Sequence, residues 1–158
     1  MNIMPYRICK TFEIESAHML SKHPDRCKYP HGHSRKVEVI LSASKLDHAD
    51  MVCDFKAVKL AIGEFIQSFD HALCVNSRDP LLPALKRMAG IRIITYGQHD
   101  PTTEVMARHM FDYIKAAIRR KFGRSKKKDP PGYQIGAQVK LERVRLWETK
   151  SSWAEYSE

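Results

Sequence analysis

Cys27, His31 and His33 fall within seven positions of one another in Arg26-Cys-Lys-Tyr-Pro-His-Gly-His-Ser34. Imidazoles two apart in an extended segment leave the same face of a strand. Val37, Val39 and Leu41 continue that parity, while Lys36 and Glu38 point the other way. The two histidines therefore stand where an inward-facing stripe meets a strand end, a place suited to a metal. A catalytic zinc takes three protein ligands and keeps one position open. His18 is the third candidate: Phe12, Ile14, Ser16 and His18 share one parity, with Glu13 and Glu15 facing outward. Two neighbouring strands, each ending its buried stripe in histidine, can converge on one ion.

Further chemistry clusters around this predicted site. Cys27 lies four residues before His31, and a thiol beside a cation and basic residues ionises below ~8.5 to give a usable base or nucleophile. The alternative makes Cys27 a fourth ligand that closes the site and renders it structural. Asp70-His71 places a carboxylate beside an imidazole, a pairing that can hold a tautomer and support proton transfer. Glu104 and Glu148 can each accept from a ring edge that offers adjacent N–H donors, although Glu104 can equally cap a helix.

The elements that position these residues follow from periodicity. Arg7 to Ala17 and Ser34 to Ala43 are expected as antiparallel strands, joined by a long loop, Met19 to Pro30. Phe55, Val58, Ile62, Phe65, Ile66 and Phe69 recur at helical spacing behind Asp54, a good N-cap. Leu81 to Ala89 is expected as a short helix opened by Pro80 and stopped by Gly90, and Ile91 to Tyr96 as a strand. Asp100-Pro-Thr-Thr-Glu104 starts a second main helix whose apolar stripe is Met106, Met110, Tyr113, Ile114 and Ala117. Asp129-Pro-Pro-Gly132 breaks the chain before a last strand, Gly136 to Glu148. There the inward parity switches from odd (Val139, Leu141) to even (Val144, Leu146). A bulge near Arg143 would explain the switch and turn Glu148 to the inner side.

The 158 residues suit one domain, 1–158, with 43% hydrophobic and 28% charged residues, as in ordinary globular proteins. No apolar run approaches a membrane span and the start lacks a signal-peptide pattern, so a cytoplasmic protein is expected. Four cysteines without a CxxC pair fit reduced thiols. The net charge of +9 favours an anionic partner, and Arg119 to Lys128 carries seven of the positive residues.

Taken together, the motifs resemble the 6-pyruvoyl-tetrahydropterin and 6-carboxy-tetrahydropterin synthase family. The resemblance rests on Phe12-Glu-Ile-Glu-Ser-Ala-His18, Cys27-Lys-Tyr-Pro-His31-Gly-His33, Met51-Val-Cys-Asp54-Phe55, Phe69-Asp70-His71-Ala-Leu-Cys-Val-Asn76, Pro101-Thr-Thr-Glu104 and Trp147-Glu148-Thr149. It implies an α+β tunnelling fold: an antiparallel four-stranded sheet with two main helices on one face, sheets joining between subunits into a barrel, and a homohexamer. It implies zinc on His18, His31 and His33, and proton transfer by Cys27 supported by Asp70, His71 and Glu148. Thr102, Thr103, Glu104 and Glu148 would contact the substrate, 7,8-dihydroneopterin triphosphate. The three-residue gap between Cys27 and His31 resembles the carboxy branch, a carbon–carbon lyase giving 6-carboxy-5,6,7,8-tetrahydropterin, acetaldehyde and triphosphate on the route to queuosine. The competing expectations are the pyruvoyl product, a related pterin aldolase, or a zinc-stabilised basic protein that binds RNA. Nucleic acid is the less favoured partner, because aromatic-studded basic surface is missing. Arg35 departs from the family pattern, standing where an aromatic residue commonly follows His-Gly-His-Ser.

Overall fold

The computed structural model describes residues 5–121 and 132–158. Most of the basic run Arg119–Lys128 and of the break at Asp129–Gly132 lies outside the described residues. Strands β1 (Tyr6–His18) and β2 (His31–Ala43) form the centre of a sheet. They pair antiparallel in one unbroken register from Tyr6↔Ala43 to His18↔His31. Helix α1 (Phe55–Gln67) follows, with the Asp54 carboxylate accepting from the Lys56 amide at 2.6 Å as its N-cap. Next come β3 (Leu73–Asn76), a short helix α2 (Leu82–Lys86), β4 (Ile93–Tyr96) and the long helix α3 (Thr103–Lys121). Strands β5 (Lys140–Thr149) and β6 (Ser152–Ser157) close the chain.

The sheet has six strands in the order β4-β3-β1-β2-β5-β6, with β1, β3 and β4 mutually parallel and the remaining pairings antiparallel. This corrects the expectation of a four-stranded antiparallel sheet. Leu73–Asn76 is buried at all four positions, so no in–out alternation marks it as a strand. Its faces are nevertheless distinct. Cys74 packs into the main core under α1 and α3, whereas Leu73 and Val75 pack with Met19 and Leu82 of α2 on the opposite face. Strand β6 is a second departure from expectation; it turns back at Lys150-Ser151 to pair with β5. The expected bulge is present, since Leu141 pairs with Leu41 and Arg143 with Ile40, leaving Glu142 as the extra residue.

The main core fills the space between the inner face of the sheet and α1 and α3. Val37, Val39, Leu41, Met106, Met110 and Ile114 are among its fully buried members. No described helix is long and apolar enough to cross a membrane.

A buried carboxylate ties the irregular parts to this frame. Asp100 accepts from Ser21 Oγ and the Lys22 amide, both at 2.7 Å, and from Asn76 Nδ2 at 2.9 Å. The loop after β1, the end of β3 and the approach to α3 are thus held at one point. Burial pushes the Asp100 carboxyl up, but its three donors and the nearby Lys22 charge outweigh this and hold it below the usual carboxylate range. Replacing it strands buried donors, so Asp100→Ala is expected to lose about 3 kcal/mol of stability in urea unfolding.

Candidate metal centre and adjoining cavity

The register of β1 and β2 sets His18 directly opposite His31, with His33 one step along on the same face. Their ring centroids form a near-regular triangle with sides of 4.5, 5.1 and 5.1 Å. One nitrogen from each lies within 4.8 Å of the others. His18 Nδ1 lies 2.8 Å from the Pro101 carbonyl, and His31 Nδ1 lies 2.8 Å from the Tyr29 carbonyl. A carbonyl only accepts, so both Nδ1 atoms carry the proton and both Nε2 atoms present a lone pair, that of His18 with Arg35 Nη2 3.3 Å away. His18 Nε2 and His33 Nε2 stand 3.2 Å apart. Converging imidazole nitrogens, one ring buried and two half-buried, with the His18 and His31 tautomers fixed by outer carbonyls, are what a three-histidine zinc site requires. The donor set therefore fits the ion.

Electrostatics supports the same reading. Burial pulls His18 down from 6.5 to about 4, reinforced by the Arg35 charge and only partly offset by its bond to Pro101. Burial also lowers His33. Both rings stay neutral and able to ligate near neutral pH.

Glu148 reaches the same place from β5. Its Oε1 lies 3.8 Å from His33 Nε2 and its Oε2 4.0 Å from His18 Nε2. The Thr103 hydroxyl donates to Oε2. Burial pushes this carboxyl up, but the Thr103 bond, the Arg35 charge and the two histidines outweigh it and hold it below the ordinary glutamate range. It is ionised at neutral pH and acts purely as an acceptor.

Glu148 also lines a cavity of about 290 Å³ shared with Cys27, Thr102, Thr103 and Glu104. Cys27 sits in the single 3-10 turn Arg26–Lys28, half-buried, and is not one of the three converging ligands. This favours the open site over a closed four-ligand one. The Thr102 hydroxyl accepts from the Val105 amide at 3.3 Å, so it caps α3 while facing the cavity. Glu104 is exposed at the rim. His23 and Trp153 line the same cavity, and sequence reasoning missed both; Trp153 belongs to the unforeseen β6.

Asp70 and His71 stand apart from Cys27. Asp70 Oδ2 is 2.7 Å from His71 Nδ1, and Asp70 Oδ1 accepts from the Glu15 amide at 2.7 Å. That amide, with the His71 contact second, holds the Asp70 carboxyl below its usual range. His71 adopts φ 55°, uncommon for a non-glycine residue, and its side chain is 79% exposed. The His71 ring lines a second cavity, of about 490 Å³, with His33, Gly32 and Arg92.

Arg35 is the residue that sequence reasoning undervalued. It shares the odd parity of His31, His33 and Val37, and it is 1% exposed. Its Nη1 donates to Thr103 Oγ1 at 3.1 Å and lies 3.5 Å from Glu148 Oε2.

The family model and the curated relatives point to one family, and solved structures share its fold. The family model for 6-pyruvoyl tetrahydropterin synthase matches residues 7–158. A 6-carboxy-5,6,7,8-tetrahydropterin synthase of Aquifex aeolicus is 32% identical, covering 98% of this chain and 99% of that relative. The protein of the same name from Haemophilus influenzae is 28% identical over 97% and 99%. Among solved structures, an uncharacterized protein from Wolinella succinogenes superposes with a TM-score of 0.74 at 20% identity, covering 96% of this chain and 97% of that one. The Caenorhabditis elegans 6-pyruvoyl tetrahydropterin synthase gives 0.61 at 20% identity, over 98% and 97%.

The lowered histidines carry a sign. An unfolded imidazole at 6.5 binds protons that folded His18, at about 4, refuses. Stability from this source is therefore present above pH 6.5 and lost as pH falls toward 4. The urea midpoint of metal-free protein is expected to drop between pH 6.5 and about 5, above the range where most carboxylates titrate. His18→Gln is expected to flatten that profile.

Proposed function

The chain belongs to the 6-pyruvoyl tetrahydropterin synthase family, and we propose that it converts 7,8-dihydroneopterin triphosphate and one water to 6-carboxy-5,6,7,8-tetrahydropterin, acetaldehyde and triphosphate. The observation that carries this reading is the joining of three inward imidazoles, an ionised Glu148 and a free thiol around one cavity. The carboxy product is supported by the names of the relatives and by the three-residue gap between Cys27 and His31.

Each residue then has a task. His18, His31 and His33 hold zinc, which when bound supplies a Lewis acid that lowers the pKa of hydroxyls on the substrate side chain. Glu148 accepts from the adjacent N–H donors of the pterin edge, and the Thr103 hydroxyl, committed to Oε2, fixes the carboxylate's orientation. Thr102 and Glu104 wall the same cavity. Cys27 exchanges protons with the ring and side chain as the carbon–carbon bond is cleaved and triphosphate departs. Asp70 holds the Nδ1 proton of His71, leaving Nε2 to accept or return a proton. The net charge of +9 draws in the polyanionic substrate.

Asp70-His71 and Cys27 line different cavities of one subunit. In the proposed assembly the pair from one copy meets the cavity of the next. The sheet edges at β4 and β6, bare among the described residues, support this, because unpaired edge strands invite pairing with another chain. A homohexamer with sheets joined into a barrel, working in the cytoplasm, completes the reading.

Zinc-loaded protein incubated with dihydroneopterin triphosphate is expected to release acetaldehyde and the carboxy product, identified by mass. Cys27→Ala is expected to lose activity by at least about a hundredfold while keeping its zinc. Chelation should abolish turnover and added zinc restore it. A pyruvoyl product would move the chain to the other branch, and loss of zinc from Cys27→Ala would favour the closed structural site.

A further inference from the structure

Arg35 has no part in the tasks above, yet it occupies the floor of the site with its side chain fully shielded from solvent. Its Nε is buried without a partner among the described residues. A guanidinium so placed, with a part-exposed carboxylate as its counter-charge, is a poor source of stability. What it contacts accounts for its presence. Nη1 donates to Thr103 Oγ1, and since that hydroxyl oxygen accepts from arginine, its own proton goes on to Glu148 Oε2. The same Nη1 lies 3.5 Å from Oε2 directly. Glu148 is thus held through one oxygen by a relay that begins at Arg35.

Glu148 also stands close to becoming a ligand itself. Its oxygens lie 3.8 and 4.0 Å from His33 Nε2 and His18 Nε2. Ligand atoms around a tetrahedral zinc, at about 2.0–2.1 Å from the ion, sit roughly 3.3 Å from one another. Each oxygen flanks a different imidazole, so a turn of the Glu148 side chain toward the three rings would let the carboxylate take the fourth position and close the site. Arg35 and Thr103 instead commit Oε2, Thr103 by donating to it and Arg35 from 3.5 Å, while Arg35 Nη2 lies 3.2 and 3.3 Å from His18 Nδ1 and Nε2.

We infer that Arg35 is a positioning residue that, through Thr103, holds Glu148 off the metal and keeps the fourth coordination position open for substrate. This rests on the three-histidine metal reading proposed above. It goes beyond that reading by assigning the open position to a restraint on a neighbouring carboxylate rather than to the ligand count alone.

The test is metal binding without substrate, so that it stays separate from turnover. Zinc affinity is measured by chelator competition, and coordination by the visible spectrum of the cobalt-substituted protein. The variants are Arg35→Met, Thr103→Val, Glu148→Gln and the double Arg35→Met/Glu148→Gln. Arg35→Met is expected to bind zinc about tenfold more tightly and to change the cobalt spectrum, as a carboxylate joins the three imidazoles. Thr103→Val, which cuts the relay but keeps the charge, should move in the same direction and serves if Arg35→Met does not fold. Both effects should vanish in the Glu148→Gln background. An unchanged affinity and spectrum in Arg35→Met overturns the inference. So does tighter binding that persists in the double variant, which would mean simple repulsion between arginine and the ion. If those results come with a parent that binds zinc and turns over substrate, the proposed function stands and only the role of Arg35 falls. A parent that binds no metal removes both.

Discussion

The alignment of β1 against β2 is the constraint from which the site grows. His18 faces His31 across the ladder, and Ser16 faces His33. Because side chains alternate, a slip by one residue would send one strand's imidazoles to the opposite face and end their convergence. The apolar stripes prevent such a slip, since Ile14, Val37, Val39 and Leu41 would be exposed by it. The burial that stabilises the sheet and the geometry that gathers the ligands are therefore one pattern, with histidine at its ends.

The bulge in β5 extends that pattern to a third strand. With Glu142 taken out of the ladder, Val144 pairs with Val39, Leu146 with Val37 and Trp147 with Lys36. Glu148 follows directly, on the face of Val144 and Leu146, and its Oε2 lies 3.5 Å from Arg35 Nη1. Without the extra residue, the carboxylate would share a face with the outward side chains. A backbone irregularity of one residue thus sets where the acceptor stands relative to the imidazoles.

Legibility followed segment length. The thirteen-residue strands β1 and β2 show enough alternation for their inner faces, and hence His18, His31 and His33, to be read directly. The parity switch at Val139–Leu146 marked the bulge and the turn of Glu148. Strand β4, Ile93–Tyr96, falls within the expected Ile91 to Tyr96, but β3 has only four residues and is buried on both sides, so no period distinguishes it from a connection. The parallel pairing of β3 with β1, and of β4 with β3, depends on crossovers that local propensity does not reveal. Arg35 is a different case. Its parity placed it inside, but a cation in an apolar stripe reads as an exception until its partners, Thr103 and Glu148, are seen to arrive from α3 and β5. The cavity shared by Cys27 and Trp153 likewise depends on β6, whose six residues were not expected to form a strand.

Asp70-His71 and Asp100 show how a loop-borne site is kept in order. Met19 to Pro30 is a long connection between paired strands, and it carries Cys27. Leu20 closes it locally by donating its amide to the Cys27 carbonyl at 3.0 Å. Asp100 anchors its beginning from outside, and the next residue, Pro101, supplies the carbonyl that orients His18. The thiol loop and His18 are therefore referenced to the same two residues at the entrance of α3. His71 is fixed by a separate device. Its amide donates to the Glu15 carbonyl at 2.6 Å, while Asp70 accepts from the Glu15 amide. This two-way clasp on β1 accounts for the left-handed backbone at His71 and presents its ring to solvent.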